Sequence, residues 1–237
     1  MTSIDHSLLE RRIYSVPRAA GLLGLSSRQL RSWMMPQRRV VNGISREIAP
    51  IWRPTIDDPR EDASVSFLDL MELKIIRAMI ENGRIKRPKI RACIKGWRNL
   101  TQGMPHYLVN KKFAPRLIPT SLAVEIKDEG VLVDAATQQC LMAEVIQPEL
   151  IDLDYGSSDL PHSWIPKGWE NEITVSPLLS FGEPVISKEL IPTSALALAV
   201  EADGVEAAAM QFHVPLQIAR LAAGFELSLV KKQRKQA

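Results

Sequence analysis

The sequence predicts a mainly helical α+β protein: an N-terminal winged helix-turn-helix, a small β-containing middle, and a C-terminal unit of three helices shaped like a second helix-turn-helix. Three observations carry this expectation. Capping residues and apolar spacing mark two short helices on either side of Gly24. Prolines interrupt short β-like runs over residues 100–175. An Ala/Leu-rich stretch after Thr193 is broken at Gly204 and again at Pro215. With 237 residues, 46% of them apolar, the chain can bury an ordinary core.

Ser15 suits the N-cap of the first of these helices, and Pro17 is tolerated in its first turn because the missing N–H has no helical partner there. Gly24 can supply the left-handed residue that ends it, and Leu25 can plug the corner to the next helix. Ser26, Ser27, Arg28 and Gln29 then form an S-x-x-Q capping box, with Leu30, Trp33 and Met34 spaced i, i+3, i+4 on the buried side. Arg28, Arg31 and Ser32 are left facing out. A short helix, a tight turn and a second helix with a basic outer face is an arrangement whose second helix can enter the DNA major groove. After it, Pro36 to Ile44 reads as a strand and turn, and Ile51, Trp52 and Arg53 read as the return strand of a wing.

Ser66 can cap a longer helix that ends near Asn82 and Gly83 and carries Phe67, Leu70, Met71, Leu73, Ile76, Met79 and Ile80. Pro88 opens another, in which Ile90, Cys93, Ile94 and Trp97 make the apolar stripe and Lys89, Arg91, Lys95 and Arg98 lie mostly off it. In the middle, Leu122, Val124 and Ile126 alternate with Ala123, Glu125 and Lys127 ahead of a turn at Asp128, Glu129 and Gly130, which suggests a small sheet. Helices return at Thr193, at Val205 and at Pro215, the last two separated by a turn at about His213 and Val214. The divisions expected are 1–110, 111–172 and 173–237.

Charge is strongly uneven along the chain. Residues 1–116 hold 22 Lys and Arg against 10 Asp and Glu, residues 117–230 hold 4 against 17, and the last seven residues add 4 cations. Phosphate neutralisation by Lys and Arg dominates nucleic-acid affinity, so the first half is the one suited to a polyanion. No apolar run approaches the roughly 18 residues needed to span a bilayer. Nor does the start of the chain have the sections of a signal peptide, so a protein inside the cell, with no membrane partner, is expected. Cys93 and Cys140 form neither a disulfide framework nor a metal clip.

Enzyme signatures are not visible: there is no nucleophile elbow and no phosphate-binding glycine loop. Asp152, Asp154 and Asp159 invite a two-metal nuclease reading, but alternation with Ile151 and Leu153 places Asp152 and Asp154 on one exposed strand face instead. His6, His106, His162 and His213 show no ligand spacing, and each is read as a surface or turn residue. No cofactor and no catalytic residue is expected.

Two stretches resemble known families. Tyr14 to Ala20, Leu25 to Trp33, and Phe67-Leu68-Asp69-Leu70 resemble the MerR-type winged helix-turn-helix. Ile173-Thr174-Val175-Ser176-Pro177, Phe181-Gly182-Glu183-Pro184-Val185-Ile186, Ile191-Pro192-Thr193 and Phe225-Glu226 resemble a small helical domain of unknown function. That domain recurs in VapB-type antitoxins, which are encoded beside PIN-domain ribonuclease toxins. Asp154-Tyr155 and Trp164-Ile165-Pro166 fit the spacing of the longer members. The resemblance implies a bacterial, cytoplasmic antitoxin that neutralises a PIN-domain toxin and, as a homodimer, binds operator DNA to repress its own operon. The alternative is a stand-alone MerR-like regulator whose C-terminal half dimerises or senses a ligand. MerR sensors usually carry a long dimerising coiled coil, and no sustained heptad is visible here.

On this reading Arg28 and Arg31 read guanine edges, Ser27 and Ser32 touch phosphate or bases, and Arg38 and Arg39 hold backbone at the wing. Gln29 belongs to the same face, although its capping role competes. Arg84, Lys86, Arg87 and Lys89 extend the phosphate track or form a solvated loop. Trp164 and Trp169 either face a partner or pack on the small sheet. Arg220 and the tail residues Lys231, Lys232, Arg234 and Lys235 either reach the acidic site of the toxin or form a solvated end.

Overall fold

The computed structural model describes residues 6–41, 44–53, 64–82, 85–112, 145–169 and 172–235. The expected sheet at 122–133, Arg84 and Cys140 lie outside them. The described chain is α+β, with helices dominant and strands confined to four two-stranded antiparallel sheets.

After the single turn α1 (His6–Leu9), strand β1 (Arg12–Ser15) runs into helix α2 (Val16–Leu23), capped by the Ser15 side chain. Gly24 takes φ 64° and ends the helix; its N–H and that of Leu25 donate to the carbonyls of Gly21 and Ala20. Helix α3 (Ser27–Met34) starts on the Ser26 hydroxyl, which accepts from Gln29 N as its half of the expected capping box. Leu25, Leu30 and Trp33 are fully buried between the two helices.

The wing is a hairpin of β2 (Gln37–Val41) and β3 (Ile44–Ile48). This corrects the expected return strand: it is Ile44–Ile48, not Ile51–Arg53. Those later residues anchor the hairpin instead, because the N–H groups of Ile51 and Trp52 both donate to the Trp33 carbonyl at the end of α3, and both side chains are buried. Strand β4 (Ser64–Ser66) then pairs with β1 and leads into α4 (Phe67–Glu81). Here the capping box is complete: the Ser66 hydroxyl accepts from Asp69 N while the Asp69 carboxylate accepts from Ser66 N. Helix α4 is buried on nearly every side, which makes it the centre of the core. Helix α5 (Arg87–Leu100) begins with Pro88 in its first turn, as expected.

Beyond the undescribed stretch, a helical segment at 145–150 (α6) precedes two small hairpins: β5 (Leu153–Asp154) with β6 (Ser163–Trp164), and β7 (Ile173–Thr174) with β8 (Val185–Ile186). The chain ends in α7 (Thr193–Asp203), α8 (Val205–Gln211) and α9 (Leu216–Lys235). One continuous apolar core includes Leu30, Trp33 and Phe67 from the first half and Ile173, Leu196 and Phe225 from the second. No helix among the described residues is long and apolar enough to cross a membrane.

Candidate nucleic-acid interface and its attachment to the C-terminal half

Helix α3 turns Leu30, Trp33 and Met34 inward, and the 3.6-residue period therefore leaves Arg28 and Arg31 exposed on the opposite side. An open groove of about 430 Å³ runs between α3 and the wing, lined by Arg28, Arg31, Ser32, Met35, Pro36 and Gln37. Ser27 and Gln29 are half-buried beside it. The Ser32 hydroxyl donates to the Gln29 carbonyl at 2.7 Å, so that hydrogen is already committed to the backbone.

The wing adjoins this surface. Arg38 and Arg46 are exposed, and because the register sets Arg38 opposite Glu47 and Arg46 opposite Arg39, the pleat places the two on opposite faces of the hairpin. Val40 is 73% exposed and Ile44 61%, both close to the tip. Arg46 is a residue that sequence reasoning missed, since a return strand expected at Ile51 leaves it in a loop. Lys86 is exposed, and Arg87 and Lys89 are half-buried at the start of α5.

This surface is fixed to the second half by further residues that the sequence does not announce. The Arg18 guanidinium on α2 binds Glu226 of α9 at 2.6 and 2.9 Å and Glu183 at 2.7 Å. Burial would lower its pKa, yet the two carboxylates raise it overall. Thr193, at the start of α7, donates to Glu226 as well. The buried Tyr14 hydroxyl donates to the carbonyl of Gly182 at 2.8 Å. Gly182 has φ 85°, and a Cβ there would overlap Ile13 and the Tyr14 hydroxyl, so only glycine allows this approach.

A second attachment centres on Lys74 of α4. Its Nζ lies 2.8 Å from both Glu149 Oε2 and Asp152 Oδ1 and donates to the Glu149 carbonyl at 2.6 Å. Asp152 also accepts from Trp164 Nε1 at 3.2 Å. Two expectations are corrected here. Asp152 is not on an exposed face with Asp154, because Lys74 draws it inward. Trp164 is not an exposed toxin contact: it is 5% exposed, its large ring being part of the core. Trp169 packs edge-on against Phe225, with ring centroids 5.3 Å apart. Beside them lies a cavity of about 260 Å³ reached by Lys74, Arg77, Trp164 and Phe225.

Burial works to raise the Glu149 pKa, but Lys74 and Lys167 outweigh it and hold the carboxyl below its ordinary 4.5. A depressed carboxyl pKa contributes stability that is intact above the unfolded value and lost as pH falls through the folded one. Urea midpoints measured from pH 7 to pH 3 are therefore expected to hold steady to about pH 5 and fall below it. In a Glu149→Gln variant that acid-side decline is expected to be shallower.

The histidines divide. His213 is exposed at φ 54° in the turn before α9, as expected, and His162 is half-buried. His106 is in a turn at φ 53° but only 2% exposed, which overturns its assignment to the surface. The side chain of His6 is outside the described residues, as are those of Arg39, Lys232, Arg234 and Lys235. The backbone of α9 is helical through Lys235, so much of the basic tail is the end of a helix, where cations suit the negative end of the dipole. Lys231 and Arg220 are exposed.

Comparison with known proteins adds evidence at the level of the fold. No family model matches the sequence, and no curated protein matches it significantly. Among solved structures, the crystal structure of Rv2018 from Mycobacterium tuberculosis is similar, with a TM-score of 0.61 at 15% identity over 91% of this chain and 99% of that one.

Proposed function

We propose that the protein is a DNA-binding antitoxin: its basic half binds operator DNA, as a homodimer, and its C-terminal half holds a PIN-domain ribonuclease toxin inactive. The observation that carries the DNA-binding part is the placement of Arg28 and Arg31 on the free face of α3 with Arg38 and Arg46 on the adjoining wing. A guanidinium can donate two hydrogen bonds to a guanine edge or hold a phosphate, and the apolar inner face of α3 fixes which way each points.

The toxin-binding part rests on the resemblance stated above together with the apolar surface of the second half. Phe181 is 91% exposed and sits at φ 55°, a backbone conformation that costs energy for a residue with a Cβ. Along α9, Leu216, Arg220, Leu227 and Val230 follow a spacing of four, seven and three residues on one exposed side. Exposed apolar residues in such numbers are characteristic of protein-binding surfaces, in which aromatic and arginine side chains are common anchors.

Co-expression with the product of the neighbouring gene, followed by size-exclusion chromatography, tests this reading. A stable complex that contains a PIN-domain protein and silences its ribonuclease activity supports it, and elution alone removes the antitoxin role. Phe181→Ser is expected to weaken the complex by about tenfold or more, the range of an interface hot spot, with no change in melting temperature. Deleting residues 231–237 tests the tail: restored ribonuclease activity places it in the toxin's site, and full inhibition removes it from the interface.

The second reading, a stand-alone regulator that senses a ligand, is favoured by the cavity beside Lys74 and Arg77. Its volume of about 260 Å³ falls below the roughly 300–1,000 Å³ of ordinary small-molecule sites.

A further inference from the structure

Asp69 and Glu72 lie one turn apart on α4, with His106 brought against them by the turn after α5. All three are buried, with side chains 3%, 5% and 1% exposed. One ligand atom from each lies within 4.8 Å of the other two. His106 Nδ1 is 3.5 Å from Glu72 Oε2 and 4.0 Å from Asp69 Oδ1, too long for good hydrogen bonds. Neither nitrogen of His106 has a hydrogen-bond partner, and Asp69 Oδ1 has none. Buried polar atoms are nearly always paired, so His106 Nδ1 and Asp69 Oδ1, two orphans that meet beside Glu72 Oε2, require a reason.

We propose that Asp69, Glu72 and His106 form a binding site for a divalent transition-metal ion of the zinc type. With metal–ligand bonds of about 2.1 Å, two ligands of a tetrahedral ion are roughly 3.4 Å apart. The 3.5 Å separation matches that edge, and a shift of a few tenths of an ångström closes the 4.0 Å one. An imidazole nitrogen with two carboxylate oxygens selects zinc-like ions over Mg²⁺ and Ca²⁺, which take oxygen alone.

The outer contacts suit the role. Ser66 N donates to Asp69 Oδ2, leaving Oδ1 for the ion. Trp52 Nε1 donates to Glu72 Oε2 at 3.2 Å and Leu108 N to Oε1 at 3.4 Å, which fixes that carboxylate. Such partners orient ligands and are characteristic of metal sites. A cation would also offset the two buried carboxylates. Nothing in this site depends on DNA or toxin binding.

The test uses tag-free full-length protein, stripped with a chelator, dialysed and titrated with Co²⁺ and then Zn²⁺. One Co²⁺ per chain with visible d–d bands, displaced by Zn²⁺, is expected. Zn²⁺ at a hundredfold excess over its Kd should raise Tm by roughly 5–10 °C. His106→Gln and Asp69→Asn should each lose at least about tenfold in affinity, and Trp52→Phe about 10–100-fold, while His162→Gln changes nothing. Folded wild-type protein, verified by circular dichroism, that binds neither ion stoichiometrically overturns the proposal whatever the variants do. So does Zn²⁺ binding that survives in folded His106→Gln, or a preference for Mg²⁺ or Ca²⁺.

Discussion

Replacing Arg28 and Arg31 together with alanine is expected to lower operator affinity by about 2–6 kcal/mol, because each well-placed arginine–guanine pair contributes about 1–3 kcal/mol of discrimination. That range runs from roughly thirtyfold to more than ten-thousandfold. Both side chains are exposed, so the melting temperature should stay where it is. Fluorescence anisotropy with the operator and with a scrambled duplex, at several salt concentrations, separates two roles. Loss confined to the operator means base reading. Equal loss on both duplexes, with a salt slope shallower by about 0.9 per contact, means phosphate binding. Unchanged affinity on both removes α3 from the interface.

Lys74→Met is expected to cost about 3–5 kcal/mol of folding stability, the range for removing one partner of a buried ion pair. Methionine fills much of the same space but leaves Asp152 with no cation and Glu149 with Lys167 alone, and both acid side chains are at most 13% exposed. Removing those charges as well, in Lys74→Met with Glu149→Gln and Asp152→Asn, should recover much of the loss. The amide introduced at position 152 can still accept from Trp164, so the recovery isolates the charge imbalance. Urea unfolding of the three proteins reads this directly, and a loss below about 1 kcal/mol would mean that the cluster is solvated rather than buried.

What could be read from the sequence was local. The caps at Ser15 and Ser66, the left-handed Gly24 and Pro88 each act within four residues, and each stands where expected. The outward face of α3 followed from a three-residue apolar stripe. Long-range partners were hidden: Arg18 and Glu226 are 208 positions apart, and nothing near either one marks it as paired. Asp69 and Glu72 offered a faint signal, two acids one turn apart in a helix otherwise rich in Phe, Leu, Met and Ile. Their partner His106 is thirty-four residues beyond Glu72, in a turn that no periodicity announces. Trp164 was ambiguous because an aromatic between prolines suits a core and an interface equally well. The wing was set out of register because Ile51 and Trp52 look like strand residues, while the true return strand, Ile44–Ile48, is almost wholly exposed and carries little apolar pattern.

The double use of the Trp33 carbonyl, which accepts from both Ile51 and Trp52, makes a caliper of α3 and the wing. Jaw one is α3 and jaw two is the hairpin, and the rivet between them is main-chain hydrogen bonding held in place by the buried Ile51 and Trp52 side chains. Such a tool does not adjust to what it measures. Under the operator binding proposed above, base steps that kink or narrow to suit its opening would be favoured, so part of the sequence preference would come from how easily a duplex deforms, at positions no side chain touches.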